Sequence, residues 1–433
     1  MSTMVTEKQP TTGAMLLDRD KLDACVQCGI CLASCPTYRE LGTEMDSPRG
    51  RIFLMKMVQE ERLEPDTLFA KHMNLCLGCR ACETVCPAAV PFGSLLDAAK
   101  AVIEQSRRLP LMIRFMRGLV FRYLIPYQAR LRLLGMLLRW MQRLGLLTLV
   151  ECIASGRLRE ALRLLPDLSA PPFSPRDVVA AIPEGARRGR VALFWGCLAP
   201  ILLPNVQRAT VAVLRSYGYE VVVPEGQTCC GALHLHSGLR DDAQMLARQN
   251  LAAFANYEND AIIVNAAGCG AVLKRYPELL CGTTEEESAS RFHLRVNDLT
   301  EFLAPVSDML QSAALQATVT YQDPCQLVHG QRIRNEPRQL LRAVPGLEFK
   351  EMPDADRCCG SAGIYSLLHP DLSRRLRQAK IDHTAQHGIR IIVTANPGCQ
   401  LYLQAGIRET RLDVEVLHLA ELLSRAFSTR PEG

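Results

Sequence analysis

Apolar residues recur with helical spacing in the first half of the chain. Between two cysteine-rich runs, Ile52, Leu54, Met55 and Val58 predict a helix that joins those runs into one small domain. From about residue 105 to about residue 170, Leu, Met, Phe and Trp are interspersed with Arg at steps of three and four residues. This pattern is typical of amphipathic helices, and it ends in the proline-rich stretch 168–177.

The second half contains short apolar runs of the kind that form buried strands, separated by helical patterns. These runs are Val191–Trp195, Glu220–Val223, Ile262–Asn265, Val319–Gln322 and Arg390–Thr394. Their alternation with helical segments predicts β/α units around a largely parallel sheet.

Cysteines reveal an internal repeat in this second half. Four of them recur at offsets of 128 to 130 residues: Cys197, Cys229, Cys230 and Cys269, then Cys325, Cys358, Cys359 and Cys399. Each copy has a Cys-Cys-Gly step between two single cysteines. The C-terminal part is therefore predicted to be two copies of one unit.

Residues 25–36 and 76–87 each have the form C-x2-C-x2-C-x3-C-P. In proteins with two [4Fe-4S] clusters, three thiolates of such a run hold one cluster and the fourth holds the other. The first cluster is predicted to be bound by Cys25, Cys28, Cys31 and Cys86. The second is predicted to be bound by Cys76, Cys79, Cys82 and Cys35. The alternatives, a zinc ribbon or disulfides, need other cysteine spacings or an oxidising compartment.

The eight repeat cysteines are candidate ligands of further iron–sulfur clusters, because they fall where strands give way to helix N-termini. Buried thiols, another metal and redox-active thiols remain alternatives. His234, His236 and His329 lie near the same loops and are candidate ligands or hydrogen-bond donors. Cys152 and Cys281 have no counterpart in the repeat and are predicted to be packing residues.

We therefore predict an α+β multidomain protein. A helical ferredoxin-type domain with two [4Fe-4S] clusters spans residues 1–104, and an Arg-rich amphipathic helical linker spans 105–186. Two tandem α/β cysteine-rich domains, each with the Cys-Cys-Gly step, span 187–312 and 313–433. No residue is predicted to be catalytic, since four-thiolate cubes have no open iron and no acid–base constellation stands out.

The net charge of +5 is unevenly distributed. Residues 101–190 contain sixteen Arg, no Lys and six acidic residues, a net charge of +10. This linker is predicted to lie on an anionic membrane surface, to pack against an acidic partner subunit, or to pack on its own protein. Nucleic-acid binding is disfavoured, because apolar residues stand where a binding groove needs stacking aromatics and phosphate contacts.

The sequence also bears on location. Arginines interrupt the most apolar region, so no run reaches the roughly 18 consecutive apolar residues of a spanning helix. Residues 1–15 contain no apolar signal region. We therefore predict a cytoplasmic protein, in which eighteen clustered cysteines more often bind metal than form disulfides.

Taken together, these residues resemble the iron–sulfur subunit family of bacterial glycolate oxidase (glycolate dehydrogenase). The resemblance spans about residues 20–425 and is weakest across the Arg-rich linker. It rests on residues 25–56 and 76–87, and on the stretches TCCGALHLH, RCCGSAGIYSLLHPDLSRRLRQAKI, VNAAGCGAVLK and VTANPGCQLYL.

The resemblance implies an electron-transfer subunit of a hetero-oligomeric complex. Its partners would be FAD-containing subunits that oxidise glycolate to glyoxylate, and its acceptor would be quinone or another membrane electron acceptor. The protein would then be membrane-associated, on the cytoplasmic face of the inner membrane. No cofactor beyond the clusters is expected on this chain.

The cysteine repeat is shared with iron–sulfur subunits of anaerobic glycerol-3-phosphate dehydrogenase, lactate-utilisation proteins and heterodisulfide reductases. These families leave another flavin-linked dehydrogenase, or a thiol reductase, as alternatives. The heterodisulfide-reductase form of the repeat ends in C-x2-C, whereas Val272 and Tyr402 stand three residues after Cys269 and Cys399. This departure argues against five-thiolate clusters and leaves four-thiolate clusters open.

Overall fold

The computed structural model describes residues 17–106, 110–178, 187–257, 260–309 and 312–428. The chain divides into two compact units, the first comprising residues up to Leu111 together with Leu233–Arg240, and the second comprising the rest. The prediction for residues 1–15 lies outside the described residues, as do the predicted linker's residues 107–109 and 179–186. The predicted domain boundaries stay predictions.

The described part of the first unit is helical. Its helices up to residue 106 are α1 (Arg19–Asp23), α2 (Cys31–Ser34), α3 (Pro36–Leu41), α4 (Pro48–Gln59), α5 (Thr67–Asn74), α6 (Ala81–Thr84) and α7 (Phe92–Ser106), with a 3-10 turn at Glu44–Asp46. The predicted joining helix is α4, and Met55 on its inner face is fully buried with Phe69 and Met73 of α5.

Helix α4 begins where the sequence supplies a cap. The Ser47 hydroxyl accepts the Gly50 amide at 3.0 Å, and Pro48 occupies the first turn, where its missing N–H costs nothing. Gly50 is required by packing, because a Cβ at this position would lie 2.0 Å from the carbonyl oxygen of Glu44. The chain between the two cysteine runs is thus fixed tightly against the preceding turn.

The linker is helical, as its spacing predicts. It contains α8 (Leu111–Gly118), a π-helix (Leu119–Leu124), α9 (Gln128–Arg143), α10 (Leu146–Ile153), α11 (Gly156–Leu164) and a 3-10 turn at Pro175–Asp177. Within the described residues, no single helix is long and apolar enough to span a bilayer. Helices α9 and α10, which are bent by 88° relative to each other, reach the length and apolar composition of a span only when they are taken together.

Two four-stranded parallel sheets form the repeats. Their strands are β1 (Gly189–Phe194), β2 (Tyr219–Val222), β3 (Ala261–Val264) and β4 (Val296–Asp298), then β5 (Ala317–Tyr321), β6 (Leu347–Phe349), β7 (Ile391–Thr394) and β8 (Glu415–His418). The orders β2-β1-β3-β4 and β6-β5-β7-β8 are identical, so the predicted duplication is confirmed at the level of topology. The five predicted strands correspond to β1, β2, β3, β5 and β7.

Helices lie between these strands. The first repeat contains α12 (Ala199–Leu202), α13 (Pro204–Ser216), α14 (Ala232–Leu235), α15 (Arg240–Ala253), α16 (Ala267–Leu273), α17 (Tyr276–Leu279), α18 (Glu286–His293) and α19 (Leu299–Leu303), with 3-10 turns at Ala255–Tyr257 and Ala304–Met309. The second contains α20 (Cys325–Val328), α21 (Glu336–Ala343), α22 (Tyr365–Leu368), α23 (Pro370–Gln386), α24 (Pro397–Thr410) and α25 (Leu419–Ser428).

The two repeats share one hydrophobic core. Helix α13 packs on α25, and the ring of Tyr217 meets that of Phe427 edge-on at 5.7 Å. His418, buried at the end of β8, donates from Nε2 to the carbonyl of Asn265 in the first repeat at 2.8 Å. Burial lowers the pKa of His418 to about 4, so the imidazole is neutral at pH 7.

Candidate metal centres

The first group of ferredoxin-type cysteines surrounds a cavity. Helix α2 begins at Cys31 and packs against α6, which places the two cysteine runs side by side. A cavity of about 450 Å³, which includes space open to solvent, is lined by Cys25, Cys28, Cys31 and Cys86, and also by Cys82. The first four are the residues that the sequence assigns to the first cluster, and Cys82 is assigned to the second.

The loop around this cavity is held open by its backbone. Gln27 and Gly29 have φ angles of 58° and 82°, in the left-handed region. Arg49 donates to the carbonyl of Gln27 at 3.2 Å and is itself paired with Glu44 at 2.7 Å. Cys28 is exposed at the tip of the loop, whereas the other three thiols are half-buried.

The second group, formed by Cys76, Cys79, Cys82 and Cys35, is buried throughout. Electrostatic coupling links Cys82 to the other three thiols, so Cys35 lies with the second run although it belongs to the first. The Gly78 amide donates to Sγ of Cys76 at 3.4 Å. Burial raises the pKa of Cys82 well above its ordinary value.

A buried polar network stands behind Cys35. Its Sγ lies 3.2 Å from Oγ1 of Thr37, and that hydroxyl donates to the carbonyl of Asp46 at 2.8 Å. The fully buried Arg51 donates to Thr37 Oγ1 at 3.0 Å and to the carbonyl of His72 at 2.8 Å. Asp46 accepts from His72 at 2.9 Å and faces the Arg51 guanidinium at 3.5 Å. The network was not predicted, since its members are scattered in the sequence.

The chemistry of both groups fits a [4Fe-4S] cluster. Each offers four soft thiol donors, the set that such clusters use. Burial raises the pKa of Cys31 to about 11, so this thiol needs a bound cation to stay deprotonated at pH 7. Backbone amides such as that of Gly78 supply hydrogen bonds to the sulfurs.

In the first repeat the structure brings all four cysteines together at the carboxyl edge of the sheet. Cys197 follows β1, Cys229 and Cys230 follow β2, and Cys269 lies on α16 after β3. Side-chain hydrogen bonds join Cys197 to Cys229, Cys229 to Cys230, and Cys230 to Cys269. Loops at the carboxyl ends of adjacent parallel strands meet in this way because the strands share one direction.

The second repeat reproduces this arrangement. Cys325 begins α20 after β5, Cys358 and Cys359 follow β6, and Cys399 lies on α24 after β7. Cys325 and Cys358 have their sulfurs 3.9 Å apart, and Cys359 is hydrogen-bonded to both Cys358 and Cys399. Within the described residues, no three potential ligands are grouped closely enough to hold a single metal ion.

Backbone conformation explains why a glycine ends each Cys-Cys-Gly step. Gly231 and Gly360 have φ angles of 87° and 92°, which side chains with a Cβ rarely adopt. Their amides donate to Sγ of Cys229 at 3.5 Å and of Cys358 at 3.4 Å. Both copies thus direct a backbone donor at the first sulfur of the pair.

The surroundings of the two repeat sites differ. In the second, Asn396 donates to Sγ of Cys399 at 3.3 Å, and Lys380 is buried near Cys359. Burial lowers the pKa of Lys380 to about 8, while hydrogen bonds from Cys358 and Cys399 lower the pKa of Cys359. In the first repeat, Ala266 occupies the position of Asn396. The second site is therefore the more strongly polarised.

Other sequence predictions fare differently. His236 is paired with Asp97 at 3.0 Å and His329 donates to the carbonyl of Asp356 at 3.0 Å, so both rings contact oxygen acceptors.

The prediction that Cys152 and Cys281 pack in a core is wrong, because both are exposed. The lack of a counterpart in the repeat was too weak a guide to burial, and α10, which carries Cys152, has an exposed apolar surface.

Comparison with known proteins identifies the family. The chain is 42% identical over 426 residues to the probable glycolate oxidase iron-sulfur subunit of Bacillus subtilis (strain 168), which covers 95% of each chain. The chain belongs to the glycolate oxidase iron-sulfur subunit family. It is also 34% identical to the glycolate oxidase iron-sulfur subunit of Escherichia coli (strain K12), over 97% of this chain and 99% of the relative. Lactate utilization protein A of Geobacillus thermodenitrificans (strain NG80-2) is 33% identical, over 54% of this chain and 98% of the relative.

Family models match each region of this family member in turn. Residues 21–90 match a 4Fe-4S dicluster domain, and residues 113–168 match the linker region of the glycolate oxidase iron-sulfur subunit. Residues 191–274 and 319–404 each match a cysteine-rich domain. The predicted fold class, a helical dicluster domain, a linker and two cysteine-rich α/β domains, is confirmed, and the chain is an iron–sulfur protein with a dicluster domain.

Proposed function

We propose that this chain is the electron-transfer subunit of a complex that oxidises glycolate to glyoxylate. The observation that carries the proposal is the full-length match to two glycolate oxidase iron-sulfur subunits, in a chain that brings its ferredoxin-type cysteines into two groups of four. A cube held by four protein thiolates has no open iron on which a substrate could bind, so this chain conducts electrons and a partner supplies the substrate chemistry.

The two groups have assigned roles in this proposal. Cys25, Cys28, Cys31 and Cys86 bind the first cluster, and Cys76, Cys79, Cys82 and Cys35 bind the second. The shared cavity supports the first assignment, and the coupling of Cys82 to Cys35 supports the second. The exchange of the fourth cysteine between the two runs holds the clusters close together, which suits transfer between them.

The partners follow from this division of labour. When bound, a [4Fe-4S] cluster takes up and releases single electrons, whereas oxidation of glycolate to glyoxylate releases two electrons and two protons. An FAD-containing subunit in the same hetero-oligomer is therefore proposed to oxidise the substrate and deliver electrons to this chain. Quinone at the cytoplasmic face of the inner membrane is the proposed acceptor.

The repeat cysteines are proposed to hold further iron–sulfur clusters. Four thiols meet at each site, and matched amides of Gly231 and Gly360 donate to sulfur in both. When a cluster binds, we expect the contacting thiols to move apart around it, since loops tolerate such movement better than strands or helices do. Iron and sulfide beyond eight atoms of each per chain would support this assignment.

A second candidate substrate is lactate. It is favoured by the 33% identity to lactate utilization protein A, although that match covers 54% of this chain. Glycolate and lactate are both 2-hydroxy acids, and nothing in this chain's proposed role depends on the extra methyl group. The two candidates are therefore separated by the partner's substrate specificity.

The test is an anaerobic EPR experiment on the native complex, purified through this chain. Glycolate, lactate and glycerol 3-phosphate are added in parallel, and cluster reduction is recorded within the turnover time. We expect reduction by glycolate in a preparation that contains a flavoprotein. Reduction only by lactate or glycerol 3-phosphate, or a preparation without flavin, would overturn the assignment.

Matched variants show that the signals come from the proposed ligands. Cys79→Ser removes a buried thiol from the second group, whereas Cys281→Ser removes an exposed thiol that belongs to neither group. We expect the first variant to lose the second cluster's signal and the control to retain both signals. Retention of both signals in Cys79→Ser would contradict the ligand assignment.

A further inference from the structure

The linker carries an unusual concentration of exposed apolar side chains. Among the described residues, eighteen of the thirty-one large hydrophobic side chains that are exposed fall between residues 111 and 158. We call them the apolar linker surface: Leu111, Met112, Ile113, Phe115, Met116, Leu119, Tyr123, Tyr127, Leu133, Leu134, Met136, Leu137, Trp140, Leu144, Leu146, Leu149, Ile153 and Leu158. Such a concentration of exposed apolar side chains marks an interaction site.

Helix α9 has its polar and apolar faces reversed relative to a helix on a soluble surface. Gly135 faces inward, and a Cβ there would lie 2.3 Å from Cγ2 of Ile201. Arg132 and Arg139 also point inward and donate to the carbonyls of Phe173 and Ser169. These contacts fix the rotation of the helix about its axis.

The outward face of α9 is correspondingly apolar. Leu133, Leu137, Trp140 and Leu144 recur at helical spacing, and Trp140 is 63% exposed. On a helix that faces water, guanidinium groups normally lie on the outer face and an indole ring on the inner face, so the arrangement in α9 is reversed. We therefore expect this face of α9 to be covered by an apolar environment.

The neighbouring helices extend the same surface. Helix α10 presents Leu146, Leu149 and Ile153 at steps of three and four, and Ile153 is 78% exposed. Helix α8 exposes Leu111 at 80% and Phe115 at 66%. Three successive helices thus offer apolar faces in one continuous stretch of chain.

The charge of this stretch has a single dominant sign. Residues 111–158 contain eight Arg, no Lys and one acidic residue, Glu151. Arg114, Arg122, Arg130 and Arg143 are exposed among the apolar side chains. Arginine interspersed with leucine and aromatic residues suits the headgroup region of a bilayer, where apolar groups enter the acyl boundary and guanidinium groups meet phosphate.

We infer that the apolar linker surface docks this subunit on an anionic lipid bilayer, with α8, α9 and α10 lying in the headgroup layer. The occupant is a lipid surface because the apolar side chains are spread along three helices and interrupted by exposed arginines every few residues. A protein interface concentrates its apolar residues in a core and places charges at its rim. The inference rests on the proposed electron acceptor at the membrane and is independent of the substrate.

The test measures vesicle binding by the full-length chain in its native complex, without turnover. Sedimentation is compared for vesicles of phosphatidylethanolamine with phosphatidylglycerol and for vesicles of phosphatidylcholine alone. We expect binding to the anionic vesicles that weakens with added salt, because Arg–phosphate attraction is screened. Equal recovery in the supernatant with and without vesicles would overturn the inference.

Substitutions assign the binding to this surface. The triple variant Leu133→Gln, Leu137→Gln and Trp140→Gln is expected to reduce binding at least about tenfold, since it removes three inserted side chains. Leu294→Gln is the control, because Leu294 is 76% exposed elsewhere in the same unit. If the triple variant binds vesicles normally but loses a co-purifying subunit, the surface is a protein interface and the inference is wrong.

Two exposed cysteines provide an independent readout. Cys152 lies on α10 next to Ile153, whereas Cys281 lies outside the linker. A polarity-sensitive fluorophore is attached to Cys152 in the Cys281→Ser holoprotein, and to Cys281 in the Cys152→Ser holoprotein. We expect a blue shift on addition of anionic vesicles only for the Cys152 label, and equal spectra at both positions would contradict the docking geometry.

Discussion

The two groups of ferredoxin-type cysteines have the same spacing but opposite exposure. In the first group Cys28 is exposed and lines a cavity open to solvent. In the second group all four thiols are buried, and Cys35 is backed by Thr37 and the fully buried Arg51. Identical motifs therefore acquire different surroundings from the helices packed around them.

This difference separates two tasks of an electron relay. An exposed cluster site exchanges electrons with a partner over a short distance, whereas a buried site is protected from water and oxidants. Burial and hydrogen bonds to sulfur are also the protein's means of setting a cluster's potential. We expect the first site to be where the partner exchanges electrons with this chain, and the second to be the one whose cluster potential is set by the surrounding protein.

The largest effect is expected for Arg51→Met. This change leaves the carboxylate of Asp46 buried without its guanidinium partner, which costs about 3 to 5 kcal/mol of unfolding free energy. We expect a lower unfolding temperature and loss of the second cluster's EPR signal. Arg62→Met, at an exposed ion pair with Glu60, is the control and is expected to change unfolding free energy by less than about 0.5 kcal/mol.

The second-largest effect is expected in how fast the two clusters are lost to an oxidant and a chelator. Under ferricyanide with EDTA, we expect the first cluster to be lost severalfold faster than the second, because only its site is open to solvent. The time course of each EPR signal, with released iron, measures this. Loss of both clusters at one rate would mean that exposure of Cys28 does not control access.

A smaller effect is expected for Thr37→Val. The Thr37 hydroxyl lies 3.2 Å from the sulfur of Cys35 and donates to the Asp46 carbonyl. In a bound cluster Cys35 is a thiolate that can only accept, so we expect the hydroxyl to turn towards the sulfur and stabilise the more negative, reduced cluster. We expect the midpoint potential of the second cluster to fall and that of the first to stay unchanged in an EPR-monitored redox titration. Thr37→Ser retains the hydroxyl and is expected to retain the potential; a fall in Thr37→Ser as well would indicate a packing effect.

The smallest effect is expected at the exposed rim of the first site. Val26 and Ile30 are 69% and 54% exposed beside Cys28, and Val26→Gln with Ile30→Gln makes that rim polar. We expect slower cluster reduction by substrate in the complex, with unchanged potentials. Leu68→Gln, 47% exposed in the same unit, is the control, and equal slowing in that variant would remove the rim from the contact surface.

Sequence reasoning recovered the parts of the fold that depend on local pattern. The helix around Met55, the linker helices and strands β1, β2, β3, β5 and β7 all follow from periodicity. Strands β4 and β6 were missed because three residues carry too little pattern to be recognised, and β8 was missed because Glu415 and His418 leave only two apolar residues between them. The exposure of Cys152 was missed because the absence of a counterpart in the repeat says nothing about burial, which is decided by packing.

The sequence by itself determined the cysteine spacing, the duplication of the Cys-Cys-Gly unit and the glycine at its third position. These features are local, since a two-residue spacer and a left-handed φ need no distant contact. Tertiary structure alone decided that Cys35 lies with Cys82, that Thr37 and Arg51 stand behind it, and that α9 turns Trp140 outward. Those arrangements depend on which helix faces meet, and packing between residues far apart in the chain settles that.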